Sequence, residues 1–161
     1  RLGASIGAGL EDRVSPHLLE AVTPIQIADY TGTPLPAAHD PLSNPVIYVI
    51  EDKCSSLLYA HDTGIFGEDV WKYLANRGRA LDFVSLACTA GLLSGCRHVH
   101  LGLDTCTDVK ERMLKDGIAD THTRFCLNHF SHNCLATYDE MLLPAKRAGF
   151  EVSYDGMCVD F

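Results

Sequence analysis

The chain has 161 residues, enough for one domain with a buried core, and 47% of them are apolar. No apolar run reaches the roughly 20 residues of a membrane helix, which excludes a helical span and leaves no membrane partner to expect. The net charge of −8 offers no basic face to a phosphate backbone, so nucleic acid is not an expected partner either.

To about Pro45 the sequence is rich in Gly, Pro and small polar residues. It holds one strand-like run, 23–30, and a short extended piece, 34–39. Residues 46–50 and 56–60 are two β-rich runs joined by a short polar stretch, which predicts a hairpin. The rhythm then changes. Phe66, Val70, Trp71 and Leu74 share a helical face over 66–76, and Gly78 is a stop signal. A strand is expected over 81–86. A helix follows over 104–115, with Val109, Met113 and Leu114 inward and Gly117 just beyond. Another strand is expected over 123–127. Thr137 with Glu140 three residues on is a capping-box pattern that opens a helix ending at Gly149, with Pro144 expected to kink it. A last strand is expected over 150–154. Helices alternating with strands imply an α/β layered domain. No internal repeat or second boundary interrupts it, so 1–161 reads as a single domain.

Seven cysteines, Cys54, Cys88, Cys96, Cys106, Cys126, Cys134 and Cys158, make an odd set with no C-x-x-C pair. They read as buried free thiols of a reducing compartment, with a cysteine zinc site a distant second. No charged-then-apolar leader opens the sequence, and the expected location is the cytoplasm. The first residue is Arg1 rather than Met, so the chain is expected to be cut from a longer protein.

Eight histidines are more numerous than this length needs, and their placement is informative. His39 ends an extended segment. His61 and Asp62 follow the strand at 57–60. His98 and His100 sit in a Gly-rich connection after the strand at 81–86. His129 and His132 follow the strand at 123–127. Strand ends on one edge of a layered α/β protein converge on one crevice. Imidazoles and a carboxylate gathered there suit Zn²⁺, Mn²⁺ or Fe²⁺. Plainer readings exist for each: His39 as an ordinary loop residue, Asp62 as a turn or helix cap, one of His98 and His100 facing solvent, His17 and His122 on the surface. Asp62-Thr63-Gly64 also matches the nucleophile motif of aspartic proteases, but those are almost all β and would leave the histidines unexplained.

The run Pro34-Leu-Pro-Ala-Ala-His39, then Leu57-Leu-Tyr-Ala-His-Asp62-Thr-Gly64, then Asn128-His129-Phe-Ser-His132 resembles the second half of the metallo-β-lactamase-fold hydrolases. The phosphoribosyl cyclic phosphate phosphodiesterase branch is the nearest in pattern. The resemblance covers nearly everything from Val22 onward and implies an αββα sandwich, of which this chain is the C-terminal half. It implies a centre of two divalent ions, Mn or Zn or Fe, with His39 and His129 as ligands and Asp62 bridging. It places His100 beside the reacting phosphate as the catalytic donor, with His98 as the fallback and His132 behind His129. The implied activity is hydrolysis of a small-molecule phosphodiester by a metal-bound hydroxide. The His-x-His-x-Asp-His motif of the family's first half is absent. His61 also departs from the small or hydroxyl residue usual there. As it stands the chain is therefore expected to be an inactive part of a hydrolase. The alternative is a degenerate, non-catalytic binding module. Oligomeric state, a homodimer included, stays open.

Overall fold

The computed structural model describes Arg13 and residues 17–161. Strands β1 (Ile25–Ile27), β2 (Tyr30–Pro36), β3 (Val46–Glu51) and β4 (Ser56–Ala60) come first. Then α1 (Glu68–Ala75), β5 (Phe83–Ala87), α2 (Leu103–Lys115), β6 (Arg124–Asn128), α3 (Tyr138–Arg147) and β7 (Glu151–Val152) alternate. One seven-stranded sheet results, and its spatial order is the sequence order.

Connection length explains the pairing. Short links join β1 through β4, and those strands pair antiparallel. A helix separates each later pair, and β4 through β7 run parallel. Crossovers of one hand that step always in the same direction put their helices on one face. The core shows this. Val70, Trp71 and Leu74 of α1, Val109 and Met113 of α2, and Met141 and Ala145 of α3 all pack on Leu58, Ala60, Val84, Leu86, Leu127 and Val152. Trp71 is anchored further, its indole N–H donating to the Phe66 carbonyl at 2.9 Å.

The opposite face carries the alternate residues of the same strands, Tyr48, Ile50, Leu57, Tyr59, Phe83 and Ser85. No helix covers it. The chain beyond β7 folds back over part of it: Phe161 stacks on Phe83 at 4.9 Å, and the Asp160 and Phe161 carbonyls accept from Arg124 Nη1 and Ser55 Oγ. Over β1 to β3 the face stays open, and a groove of about 850 Å³ lies there. A lone sheet layered on one side is thus half of a sandwich.

The expected elements are present with four differences. The run at 23–30 is two strands, because Ala28 takes a positive φ of 52° and turns the chain between them. The extended piece at 34–39 is the end of β2, and the strand stops at Pro36. Leu114 faces outward at 42% exposure, since α2 turns Val109 and Met113 to the core instead. β7 is two residues long. The capping box at Thr137 and Glu140 forms, with both halves of the exchange present. Pro144 lies inside α3, which continues to Arg147. All seven cysteines are free; Cys54 and Cys158 are exposed rather than buried.

Candidate metal centre

The convergence of strand ends expected from the sequence is built by one tripeptide. Asp62-Thr63-Gly64 follows β4 and grips the loops on either side of it. Thr63, fully buried, accepts from the Ala38 N–H at 3.0 Å, and the Gly64 N–H donates to the Ala38 carbonyl at 2.8 Å. That fixes the residue before His39. The next N–H, of Ile65, donates to the Arg97 carbonyl at 2.8 Å. This second loop carries His98 and His100. Gly64 is required here, because a Cβ would stand 2.2 Å from the Arg97 oxygen and 2.5 Å from His98 backbone. The far end of the loop is tied to α2, where Thr105 Oγ1 donates to the Cys96 carbonyl and accepts from the Gly102 N–H.

Asp62 itself takes a positive φ of 46°, and His129, straight after β6, takes 56°. Left-handed backbone at residues other than glycine gathers at functional sites, and Asp and His tolerate it better than most. The outcome is one carboxylate oxygen faced by three imidazoles. Asp62 Oδ1 lies 2.8 Å from His129 Nε2, 3.7 Å from His39 Nε2 and 3.8 Å from His100 Nδ1. The His39, Asp62 and His100 ligand atoms all lie within 4.8 Å of one another. The Asp62 side chain is 53% exposed, so the cluster faces open space at the sheet edge.

Two observations test whether a divalent ion fits. Nitrogen and carboxylate oxygen are the donor set that Zn²⁺, Mn²⁺ and Fe²⁺ take. His100 Nδ1 is shielded from solvent and has no hydrogen-bond partner, which costs free energy unless something else satisfies it. Both fit. Burial, and then the neighbouring His39, hold His100 below its ordinary pKa, against the pull of Asp62, which favours the neutral imidazole that metal ligation needs.

His39, Asp62, His100 and His129 are therefore brought together. His98 is exposed beside Val99 and makes no contact with Asp62, and His132 is exposed in the 3₁₀ turn after β6. His17 and His122 are on the surface. Asp62 caps no helix: the N-cap of α1 is Gly67. His61 was set apart only as a departure. Its Nε2 bonds Ser85 Oγ at 2.8 Å, and its ring packs 3.9 Å from Tyr59 and 5.6 Å from His129. Burial, and then the charge of His129, push it down to about 4, so it stands as a neutral wall beside the centre. The clamp of Thr63 and Gly64 was also hidden in the sequence, where Asp-Thr-Gly reads as a turn.

No family model matches the sequence, and no curated protein does. Solved structures do. YhfI from Bacillus subtilis, a metallo-beta-lactamase fold protein, aligns with a TM-score of 0.59 at 16% identity, over 84% of this chain and 50% of that one. Isothiocyanate hydrolase from Delia radicum gut bacteria gives 0.63 at 14% identity, over 90% of this chain and 60% of that one. Zn²⁺-bound PqqB from Methylobacterium extorquens gives 0.56 at 15%, over 89% and 55%. The chain thus has the metallo-β-lactamase fold. It spans about half the length of the proteins it resembles, and at these identities the likeness is one of fold.

Proposed function

We infer that the chain is one half of a metal-dependent hydrolase whose centre is organised around Asp62, with phosphodiesters as substrate. The observation that carries this is the single carboxylate oxygen of Asp62 facing His39, His100 and His129. Divalent ions in such a centre supply Lewis acidity and lower the pKa of a water, which phosphodiester hydrolysis needs. Of the residues present, His39, Asp62 and His129 would hold the divalent ions. The hydrogen bond between His129 and Asp62 sets the carboxylate's rotamer beforehand. The Ser85–His61 contact keeps a fourth ring from turning into the cluster. With its Nδ1 on the side of Asp62, His100 would have its outer nitrogen to offer, as a donor, to charge developing on a phosphate. The remaining ligands belong to a second sheet layer that would cover the open face.

The test is hydrolysis of bis(p-nitrophenyl) phosphate by the protein expressed from its whole gene. The expected result is activity that needs added Mn²⁺ or Zn²⁺ and falls about a thousandfold or more in Asp62→Ala. Activity unchanged in Asp62→Ala overturns the reading. No activity with any phosphodiester, and no His-x-His-x-Asp-His upstream, leaves the second reading, a non-catalytic binding module. The open apolar face, with Ile27 at 58% and Tyr59 at 42% exposure, favours that one.

A further inference from the structure

Two protein ligands are too few to hold a metal tightly, and His39 with Asp62 is such a pair. The structure adds a third. We propose that His39, Asp62 and His100 form a one-metal site complete within this chain, with His100 Nδ1 as a direct ligand. The proposal rests on reading the cluster as a metal centre, and it assigns His100 a place that reading does not need.

Geometry carries it. Ligand atoms bound to one Zn²⁺ at about 2.0–2.1 Å stand roughly 3.3 Å apart at the tetrahedral angle. The two contacts to Asp62 Oδ1, 3.7 and 3.8 Å, are within half an ångström of that. The widest separation in the trio is 4.8 Å, which side-chain rotation of loop residues can close. The His39 and His100 rings meet edge to face, centroids 5.0 Å apart, and do not stack away from the gap between them. His100 Nδ1 has no other partner to lose. Two imidazoles and one carboxylate with positions left open is a set used by catalytic zinc and non-haem iron. His129 is placed differently. Its Nε2 is already spent on Asp62 at 2.8 Å, so it orients the carboxylate for this ion and does not bind it. Ligation through Nδ1 would also fix the tautomer of His100, leaving Nε2–H to point outward.

The backbone supports the arrangement. The consecutive N–H groups of Gly64 and Ile65, just beyond Asp62, hold the His39 loop and the His100 loop, so all three ligands hang on one clamp. None of this uses residues from another chain or another half.

The test is Zn²⁺ binding to the 161-residue chain near neutral pH, by competition with a chromophoric chelator. One ion per chain is expected. His39→Ala, Asp62→Ala and His100→Ala should each weaken binding by about a hundredfold or more, His129→Ala by tenfold or less, and His98→Ala not at all. Far-UV circular dichroism shows whether each variant is folded. X-ray absorption of the loaded chain should count two imidazoles, and one in His100→Ala. Unchanged affinity in His100→Ala, with binding lost in His129→Ala, overturns the proposal while leaving the Asp62-centred hydrolase standing. An absence of Zn²⁺ binding by the folded chain also overturns it. The hydrolase reading then depends on the phosphodiester assay above.

Discussion

The two faces of the sheet are made by the same strands and have opposite fates. Leu58, Val84, Leu86 and Leu127 are fully buried under three helices. Their neighbours one residue away, Tyr59, Phe83 and Ser85, look the other way, and what shelters them is a returning tail and one stacked ring. Alternate side chains of a strand point to opposite faces, and a strand buried under a layer on each side is apolar on both. The apolar residues of the open face fit a second layer of the metallo-β-lactamase fold, of which this chain spans about half the length. The cluster of His39, Asp62, His100 and His129 sits where both faces end, at the edge reached by β4 and β6, and Thr63 of the adjoining clamp is fully buried.

If the comparison is right, truncations on the two faces should differ most. Leu86→Ala should cost about 2–5 kcal/mol in urea unfolding, the loss of a fully enclosed side chain and the cavity it leaves. Tyr59→Ala, 42% exposed, should cost about 1 kcal/mol or less. Equal costs would mean that something covers the open face in solution. Gly64→Ala comes next, at about 1–3 kcal/mol, because the added methyl meets backbone, which yields less than a side-chain tip would. It should also cut Zn²⁺ affinity at least tenfold by pushing the His100 loop away; intact affinity would break the clamp argument. Thr63→Val removes the buried acceptor of the Ala38 N–H and should cost about 1–2 kcal/mol, read by the same unfolding experiment.

The smallest effect concerns pH. His61 is held at about 4 when folded, against an ordinary 6.5. The unfolded chain therefore takes up the proton first on acidification. Stability from this group is complete above pH 6.5 and is lost as pH falls towards 4. With its partial exposure, the loss should be on the order of 1 kcal/mol in the metal-free chain. His61→Phe should flatten that limb of the pH–stability curve. An unchanged limb would place the titration elsewhere.

Much of this was legible in the sequence, for identifiable reasons. The hairpin at β3 and β4 and the helices at α1 to α3 announce themselves by period and by their caps, and the structure puts them within a few residues of expectation. His39, Asp62 and His129 could be picked out because each follows a strand on one edge of an α/β sheet. Other features left no local trace. Ala28 gives no sign that it will turn left-handed, so β1 and β2 ran together. His98 and His100 flank Val99 alike, and only the anchoring of their loop at Gly64 and Thr105 decides which ring turns inward. The role of Gly64 depends on a carbonyl thirty-odd residues away in the chain, which no motif encodes.

The central claim is that Asp62 organises a metal centre. Elemental analysis of metal per chain tests it most directly, on wild type and Asp62→Ala, both expressed from the whole gene and purified without chelator. The account predicts about two divalent ions per wild-type chain and almost none in Asp62→Ala, because every histidine of the cluster converges on that one oxygen. Equal metal in both, or none in wild type, would contradict it.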